Sequence, residues 1–234
     1  MTATRFFLAE NLACARGERA VFRDVSLRVE DGGALVLRGP NGTGKSSLLR
    51  MLAGLLPPFA GHLAWHDGPV DESPDRHAAR LVYLGHANAA QPALTVQENL
   101  SFWAHLQPDG QPQRIGEALD AFALSDLAEL PARYLSAGQT RRLALARLLL
   151  GGAPLWLLDE PATGLDAAST ATLWERIAAH RALGGMAIVA VHGPADLPGA
   201  AELDLEALRR VKNEVVRATT AVRSARGGTR TVCG

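Results

Sequence analysis

The sequence is short of cysteine, of net charge and of long apolar runs, and each shortage removes a class of protein. Its two cysteines, Cys14 and Cys233, stand far apart and form no C-x-x-C pair. That excludes a disulfide scaffold and a thiolate zinc site, and it suits a reducing cytosol. Lys plus Arg and Asp plus Glu number 24 each, so the net charge of +0 gives no overall field to attract nucleic acid. The richest apolar runs, Leu143 to Leu158 and Met186 to Val191, are broken by Arg147 or are only strand-length. A bilayer span needs about 20 apolar residues. At the start, Phe6-Phe7-Leu8 meets Glu10 too soon for a signal peptide. Aromatic residues make up only 5%, and Trp103, Trp156 and Trp174 read as packing residues rather than ligand platforms. His62, His66, His77, His105 and His180 show no metal-ligand spacing and read as surface residues. No internal repeat is evident. What the chain has is an apolar fraction of 47% over 234 residues, ample for one compact domain or a core with one lobe.

The stretch that organises the rest is Val36-Leu37-Arg38-Gly39-Pro40-Asn41-Gly42-Thr43-Gly44-Lys45-Ser46-Ser47. An apolar strand, Ala34 to Leu37, runs into a glycine-rich turn and then a helix starting near Gly44. Gly39, Gly42, Gly44, Lys45 and Ser46 fit G-x-x-x-x-G-K-[ST] at every fixed position. A polyphosphate carries several negative charges and needs many donors at once. Glycines let the backbone curl so that successive N–H groups face inward. The helix behind them adds the positive end of its dipole. Lys45 brings a full charge toward the β- and γ-phosphates of a nucleotide, and the Ser46 hydroxyl is placed to ligate Mg²⁺.

Around this loop the pattern is α/β. Residues 5–12 and 20–30 read as strands, with Val21, Val25, Leu27 and Val29 alternating in part, as in an antiparallel ribbon. Residues 57–80 read as loops around short strands, and Leu81 to Leu84 as a buried strand. Residues 92–150 then carry helical patterns almost alone. Thr95-Val96-Gln97-Glu98 is a capping box, Ile115 to Phe122 supports a helix, and Ser136-x-x-Gln139 opens a helix to Leu150. Leu155 to Leu158 and Met186 to Val191 do not alternate, as expected of parallel strands buried on both faces. Asp166 caps a helix through His180. The expectation is one domain over 1–210: core and β subdomain at about 5–87 and 153–205, and a helical subdomain at about 88–152. Residues 211–234, basic and poor in apolar residues, read as a flexible tail.

Two further constellations carry chemistry. The strand Leu155-Trp156-Leu157-Leu158 delivers Asp159 to its carboxyl end, where open α/β sheets bind ligand. Asp159 can hold Mg²⁺, and Glu160, pointing differently, can polarise an attacking water. Leu135-Ser136-Ala137-Gly138-Gln139 is a second anion site at a capped helix N-terminus, with Ser136 Oγ and the Gly138 N–H available to a phosphate. A second such site beside a complete phosphate loop points to nucleotide held between two chains.

These residues resemble the signature motif of ABC-type ATPases, usually Leu-Ser-Gly-Gly-Gln, with Ala137 in place of one glycine. Residues 5 to 205 follow that family's motif order. Gly164-Leu165-Asp166 resembles its D-loop, and His192 its switch histidine. The resemblance implies a P-loop NTPase core of the ABC ATPase type, with an antiparallel β subdomain and an inserted α-helical subdomain. It implies Mg²⁺-dependent hydrolysis of ATP in a homodimer, the phosphate loop of one copy facing Ser136–Gln139 of the other. His192 would contact the γ-phosphate and Asp166 would couple the two sites.

Two departures are informative. His86 stands where the family's Q-loop glutamine is usual, and Gln91 comes later. Either His86 hydrogen-bonds a metal-bound water, or Gln91 takes the role through a shifted loop, or the contact is lost. The place of the usual adenine-stacking aromatic falls on or near Arg16, whose guanidinium can stack on a purine. Together with Leu12 to Arg19, Gly85-His86 and Leu135 to Arg142, these departures are similar to the CcmA branch, the ATPases of bacterial cytochrome c maturation. That implies a peripheral subunit at the cytoplasmic face of the inner membrane. It would act with separate CcmB/CcmC-like permease subunits and drive haem export or haem-chaperone release. A cytoplasmic helix of the partner would dock near residues 86–100. The alternatives are an ABC exporter for another solute or lipid, and a soluble ABC-type protein acting on ribosomes or DNA. The second usually carries paired cassettes or long coiled coils, which this chain lacks.

Overall fold

The computed structural model describes residues 4–16, 19–208 and 215–218. In chain order the elements are β1 (Phe6–Arg16), β2 (Arg19–Glu30), β3 (Ala34–Arg38), α1 (Lys45–Leu52), β4 (Ala60–Trp65), β5 (Gly68–Pro69), α2 (Pro74–Ala79), β6 (Leu81–Leu84), α3 (Val96–Leu106), α4 (Ile115–Ala121), α5 (Ala137–Ala146), β7 (Leu155–Asp159), α6 (Ala167–Ala182), β8 (Met186–Ala190), β9 (Ala201–Asp204), α7 (Leu205–Leu208) and β10 (Val215–Ala218). They build two sheets. One is mainly antiparallel, in the order β10-β2-β1-β4-β5. The other is parallel, in the order β6-β7-β8-β3-β9.

The parallel strands lack alternation because each feeds two cores. Leu35 and Leu37 of β3, Leu155 and Leu157 of β7, and Met186 and Ile188 of β8 pack toward the antiparallel sheet, with α1 and its Leu48, Leu49 and Leu52. Their neighbours Val36, Trp156, Leu158 and Val189 pack on the opposite face, against α6 and the helical stretch. A run apolar at every position is what two buried faces require. Each wholly buried Leu contributes about 1.5–3 kcal/mol to holding the layers.

Local signals set the helix ends. Thr95 and Ser136 each form both halves of a capping box, with Glu98 and Gln139 respectively. Asp166 accepts from the Ser169 N–H at 2.7 Å. Gly54, at φ 73°, closes α1: its N–H bonds the Met51 carbonyl and the Leu55 N–H bonds the Arg50 carbonyl. That is the Schellman pattern, which wants glycine at its left-handed position.

The structure corrects several expectations. Residues 74–79, expected in a loop, form α2, because Pro74 sits at the first helical position, where its missing N–H costs nothing. The helix opened by Ser136 ends at Ala146 and tightens into a 3₁₀ turn, Arg147–Leu149. His77 is not a surface residue. It is 3% exposed, accepts from Trp65 Nε1 at 3.0 Å and donates from Nε2 to the Leu52 carbonyl at 3.0 Å. His180 is half-buried and stacks on Trp156 with ring centres 3.9 Å apart. Trp156 and Trp174 are buried, as packing residues should be. Within the stretch expected as a tail, Val215–Ala218 pair in parallel with β2, and the rest of 211–234 lies outside the described residues.

Candidate functional site

Three neighbouring strands, β7, β8 and β3, end at one edge of the parallel sheet and deliver the site. After β3 the loop turns through three glycines with positive φ: Gly39 at 134°, Gly42 at 79° and Gly44 at 108°. These are conformations that a side chain resists. At Gly44 there is a second reason, since a Cβ there would lie 2.7 Å from Val21 Cγ1 and 2.9 Å from Phe22 Cδ1. Gly44 is the N-cap of α1 and supplies no side-chain cap, and the first turn holds no acidic residue. The helix end therefore keeps N–H donors and positive potential for an anion. Thr43 Oγ1 braces the loop by donating to the Pro40 carbonyl at 2.9 Å.

Lys45 is 5% exposed. Its ammonium donates to the Gly39 carbonyl at 2.6 Å and the Pro40 carbonyl at 3.2 Å, and lies 3.3 Å from His192 Nε2. The same His192 nitrogen lies 2.8 Å from Glu160 Oε1. A carboxylate only accepts, so Nε2 carries the hydrogen toward Glu160, and the Lys45 approach is a contact rather than a hydrogen bond. Glu160 has φ 48°, rare for a residue with a side chain, and its N–H bonds the Ala190 carbonyl at 2.9 Å. That turn aims its carboxylate at His192 across a crevice of 170 Å³, also lined by Thr163 and Trp174.

Asp159 is 3% exposed, and its Oδ1 has no hydrogen-bond partner among the described residues. A buried carboxylate oxygen without a donor is costly. This fits a hard divalent cation, as does the exposed hydroxyl of Ser46 at the start of α1.

The helical stretch presents Ser136 at the exposed start of α5. Its Oγ accepts from the Gln139 N–H at 3.2 Å, and Gln139 Oε1 accepts from the Ser136 N–H at 2.8 Å. Ser136 Oγ is thus committed as an acceptor inside the helix, and its own hydrogen is what it can offer outward. A Cβ on Gly138 would lie 3.2 Å from the Gly164 carbonyl, so a small residue there lets α5 approach the loop capped by Asp166. No described hydrogen bond or ion pair joins Ser136–Gln139 to Lys45, His192 or the Glu160 side chain. Within one chain, described hydrogen bonds and ion pairs join Lys45 to the loop and His192 to Glu160, and none of them includes the signature residues Ser136–Gln139.

The other expected site residues sit as follows. His86 is exposed just after β6. The Gln91 main chain is clamped by Asn99, which accepts from the Gln91 N–H at 2.7 Å and donates to its carbonyl at 3.1 Å. The Arg16 main chain ends β1 opposite Arg19, and its side chain lies outside the described residues. Sequence reasoning missed Arg141, a buried guanidinium behind Glu160. An arginine in a run of basic residues reads as solvated, so no local signal marked it.

The family model described as ABC transporter matches residues 22–163. A Paramagnetospirillum magneticum protein is 54% identical over 204 residues, covering 86% of this chain and 94% of its own length. A Rhodospirillum rubrum protein is 52% identical over 204 residues, covering 87% of each. Both are named cytochrome c biogenesis ATP-binding export protein CcmA. Among solved structures, a Pyrococcus furiosus chain described as an ABC transporter ATP-binding protein aligns with a TM-score of 0.76 at 22% identity, over 86% of this chain and 98% of that one. An ATP-binding subunit of an ABC transporter aligns at 0.73 and 24%, over 80% and 79%. The structural likenesses carry the fold alone.

Proposed function

This chain belongs to the ABC transporter family of ATP-hydrolysing subunits, and from that premise we propose that it powers a cytochrome c biogenesis export system through a separate membrane partner. The observation that carries the chemistry is the convergence of Lys45, at 3.3 Å, and Glu160, at 2.8 Å, on His192 Nε2, beside a buried Asp159 oxygen without a described hydrogen-bond partner. The cargo reading is supported by relatives at 44–54% identity that bear the CcmA name.

In this reading the N–H groups of Gly39 and of Asn41 through Ser47, with Pro40, Asn41 and Thr43 shaping the turn, bind the phosphates of ATP. Lys45 leaves its loop carbonyls for the β- and γ-oxygens. Ser46 and Asp159 would hold Mg²⁺, which when bound would supply charge neutralisation on the phosphates. Glu160 accepts the proton of the attacking water, and His192 orients the γ-phosphate. His86 or, through a shifted loop, Gln91 would serve a metal-bound water unless that contact is lost in this chain, and Arg16 would stack on the adenine. A second copy supplies Ser136–Gln139, which make no described hydrogen bond to their own chain's Lys45, His192 or Glu160 side chain, and Asp166 couples the two halves.

Among the described residues no helix is long and apolar enough to cross a membrane. In this reading the work passes to separate CcmB/CcmC-like permease subunits, with this chain peripheral at the cytoplasmic face of the bacterial inner membrane. A groove of about 360 Å³ lined by Leu55, Tyr83, Trp103 and Leu106, none of them within the stretch 86–100 expected to dock the partner, suits an apolar helix of that partner. Leu55 and Leu106 are 57% and 60% exposed there. In this reading hydrolysis drives haem export or haem-chaperone release. The test is to trap Glu160→Gln with Mg²⁺ATP and purify it from detergent-solubilised membranes. A dimer carrying permease subunits that retain haem supports the reading. A monomer, or a dimer bound to the permease of another solute, refutes the corresponding part.

A further inference from the structure

We propose that Arg141 is a positioning residue for Glu160, and that it locks the helical stretch to the catalytic loop; this rests on the reading of Glu160 as the base. Arg141 lies on α5, two residues beyond Gln139, and is 5% exposed. Its guanidinium has five N–H donors and all five are used. Nε donates to the Pro161 carbonyl at 3.1 Å. One terminal nitrogen donates to the Asp159 carbonyl at 3.0 Å and the Glu160 carbonyl at 2.8 Å. The other donates to the Gly85 carbonyl at 3.1 Å and Asn88 Oδ1 at 3.0 Å.

Every one of those acceptors is neutral. Burial lowers the Arg141 pKa, and the nearby Asp159 and Glu160 carboxylates pull it back up. A charge kept this dry is tolerated because each donor is met. What it gains is geometric. In an extended strand successive carbonyls point to opposite sides. The carbonyls of Asp159, Glu160 and Pro161 instead converge on one planar fork, which requires the left-handed turn at Glu160. The fork therefore offsets the strain of that turn and fixes where the Glu160 side chain leaves the backbone. Gly85 and Asn88, just after β6, hang from the same guanidinium, so the start and the α5 end of the helical stretch share one anchor with the catalytic loop. A displacement of the helical stretch by a partner reaches Glu160 through this anchor.

Lysine keeps the charge but is a point donor that cannot reproduce the fork. For Arg141→Lys we expect steady-state ATP turnover to fall about 10- to 100-fold, the scale of a small misplacement of a reacting group. The ATP KM should stay within about threefold, because Lys45 and the loop are untouched. Asn88→Ala, a milder change that removes one acceptor, should lower kcat several-fold at unchanged KM. On a Glu160→Gln background neither change should lower the residual turnover further, since both act through the same carboxylate. Wild-type kcat in Asn88→Ala and in any folded Arg141→Lys protein overturns the proposal, as does a loss that persists in full on the Glu160→Gln background. If Glu160→Gln alone leaves turnover intact, it is the assignment of the base that fails. A Glu160→Gln collapse with intact Arg141→Lys turnover isolates failure of the positioning role.

Discussion

His192 and Glu160, separated by 31 residues of chain and by α6, meet at 2.8 Å across the carboxyl ends of β8 and β7. Lys45 reaches the same imidazole nitrogen from the first residue of α1. One histidine thus touches both the cation proposed for the phosphates and the carboxylate proposed for water, so on that proposal nucleotide that draws Lys45 away changes the surroundings of the base.

That arrangement separates binding from chemistry. Glu160→Gln should keep ATP affinity while turnover drops about 10²- to 10⁴-fold, the range for loss of a general base. Lys45→Ala should weaken ATP binding itself by about 1.5–3 kcal/mol, the scale of a hydrogen bond to a charged group. Equilibrium titration with a fluorescent ATP analogue, beside phosphate release, distinguishes the two. Equal affinity loss in both variants would contradict the assignment.

The Gly44 position is closed by β2. Gly44→Ala would place a Cβ 2.7 Å from Val21 at φ 108°. About 1–3 kcal/mol of stability should be lost to strain alone. Urea unfolding midpoints should fall, and nucleotide binding should fall with them. Gly42→Ala meets no atom within 4 Å, so its cost should come from its φ of 79° alone and be smaller.

If two copies complete each site, two defective proteins should rescue each other. Lys45→Ala and Ser136→Ala, each inactive alone, form a mixed dimer with one intact loop facing one intact signature. An equal mixture should recover about a quarter of wild-type turnover, by counting intact sites in randomly paired dimers. No recovery, with mixed dimers shown to form, would place the whole site within one chain.

Two histidines make stability fall on the acid side. Burial lowers the pKa of His77, and that of His180 to about 4. Both are neutral in the fold and bind a proton more readily once unfolded. Their contribution is complete above about pH 6.5, the value for a free histidine, and falls away below it, that of His180 until about pH 4. Each group adds a slope of up to about 1.4 kcal/mol per pH unit. Urea unfolding followed by tryptophan fluorescence between pH 7 and pH 4 checks this. His180→Asn should flatten part of the slope.

The legible parts of the molecule were those whose cause is local. β3, β7 and β8 announced themselves because strands buried on both faces lose alternation. Ser136 and Thr95 announced their helices through short-range capping. The partner of a buried polar group is not local. Nothing near His77 in sequence shows that Trp65 and Leu52 will close over it. Arg141 reads as solvated until Gly85 and Asn88, more than fifty residues away, are folded against it. β9 stayed hidden because it is a short edge strand that leaves Glu202 and Asp204 in solvent, so it carries no apolar pattern.

At Glu160 the demands of durability and of activity oppose each other. The backbone there, at φ 48°, is one that a bare residue would occupy with less strain. Glu160→Gly should therefore yield a protein that melts no earlier, or later, than the native one and does no work. Screens that select this chain for heat resistance alone will drift toward such inert forms, and the acid survives only where selection also demands turnover.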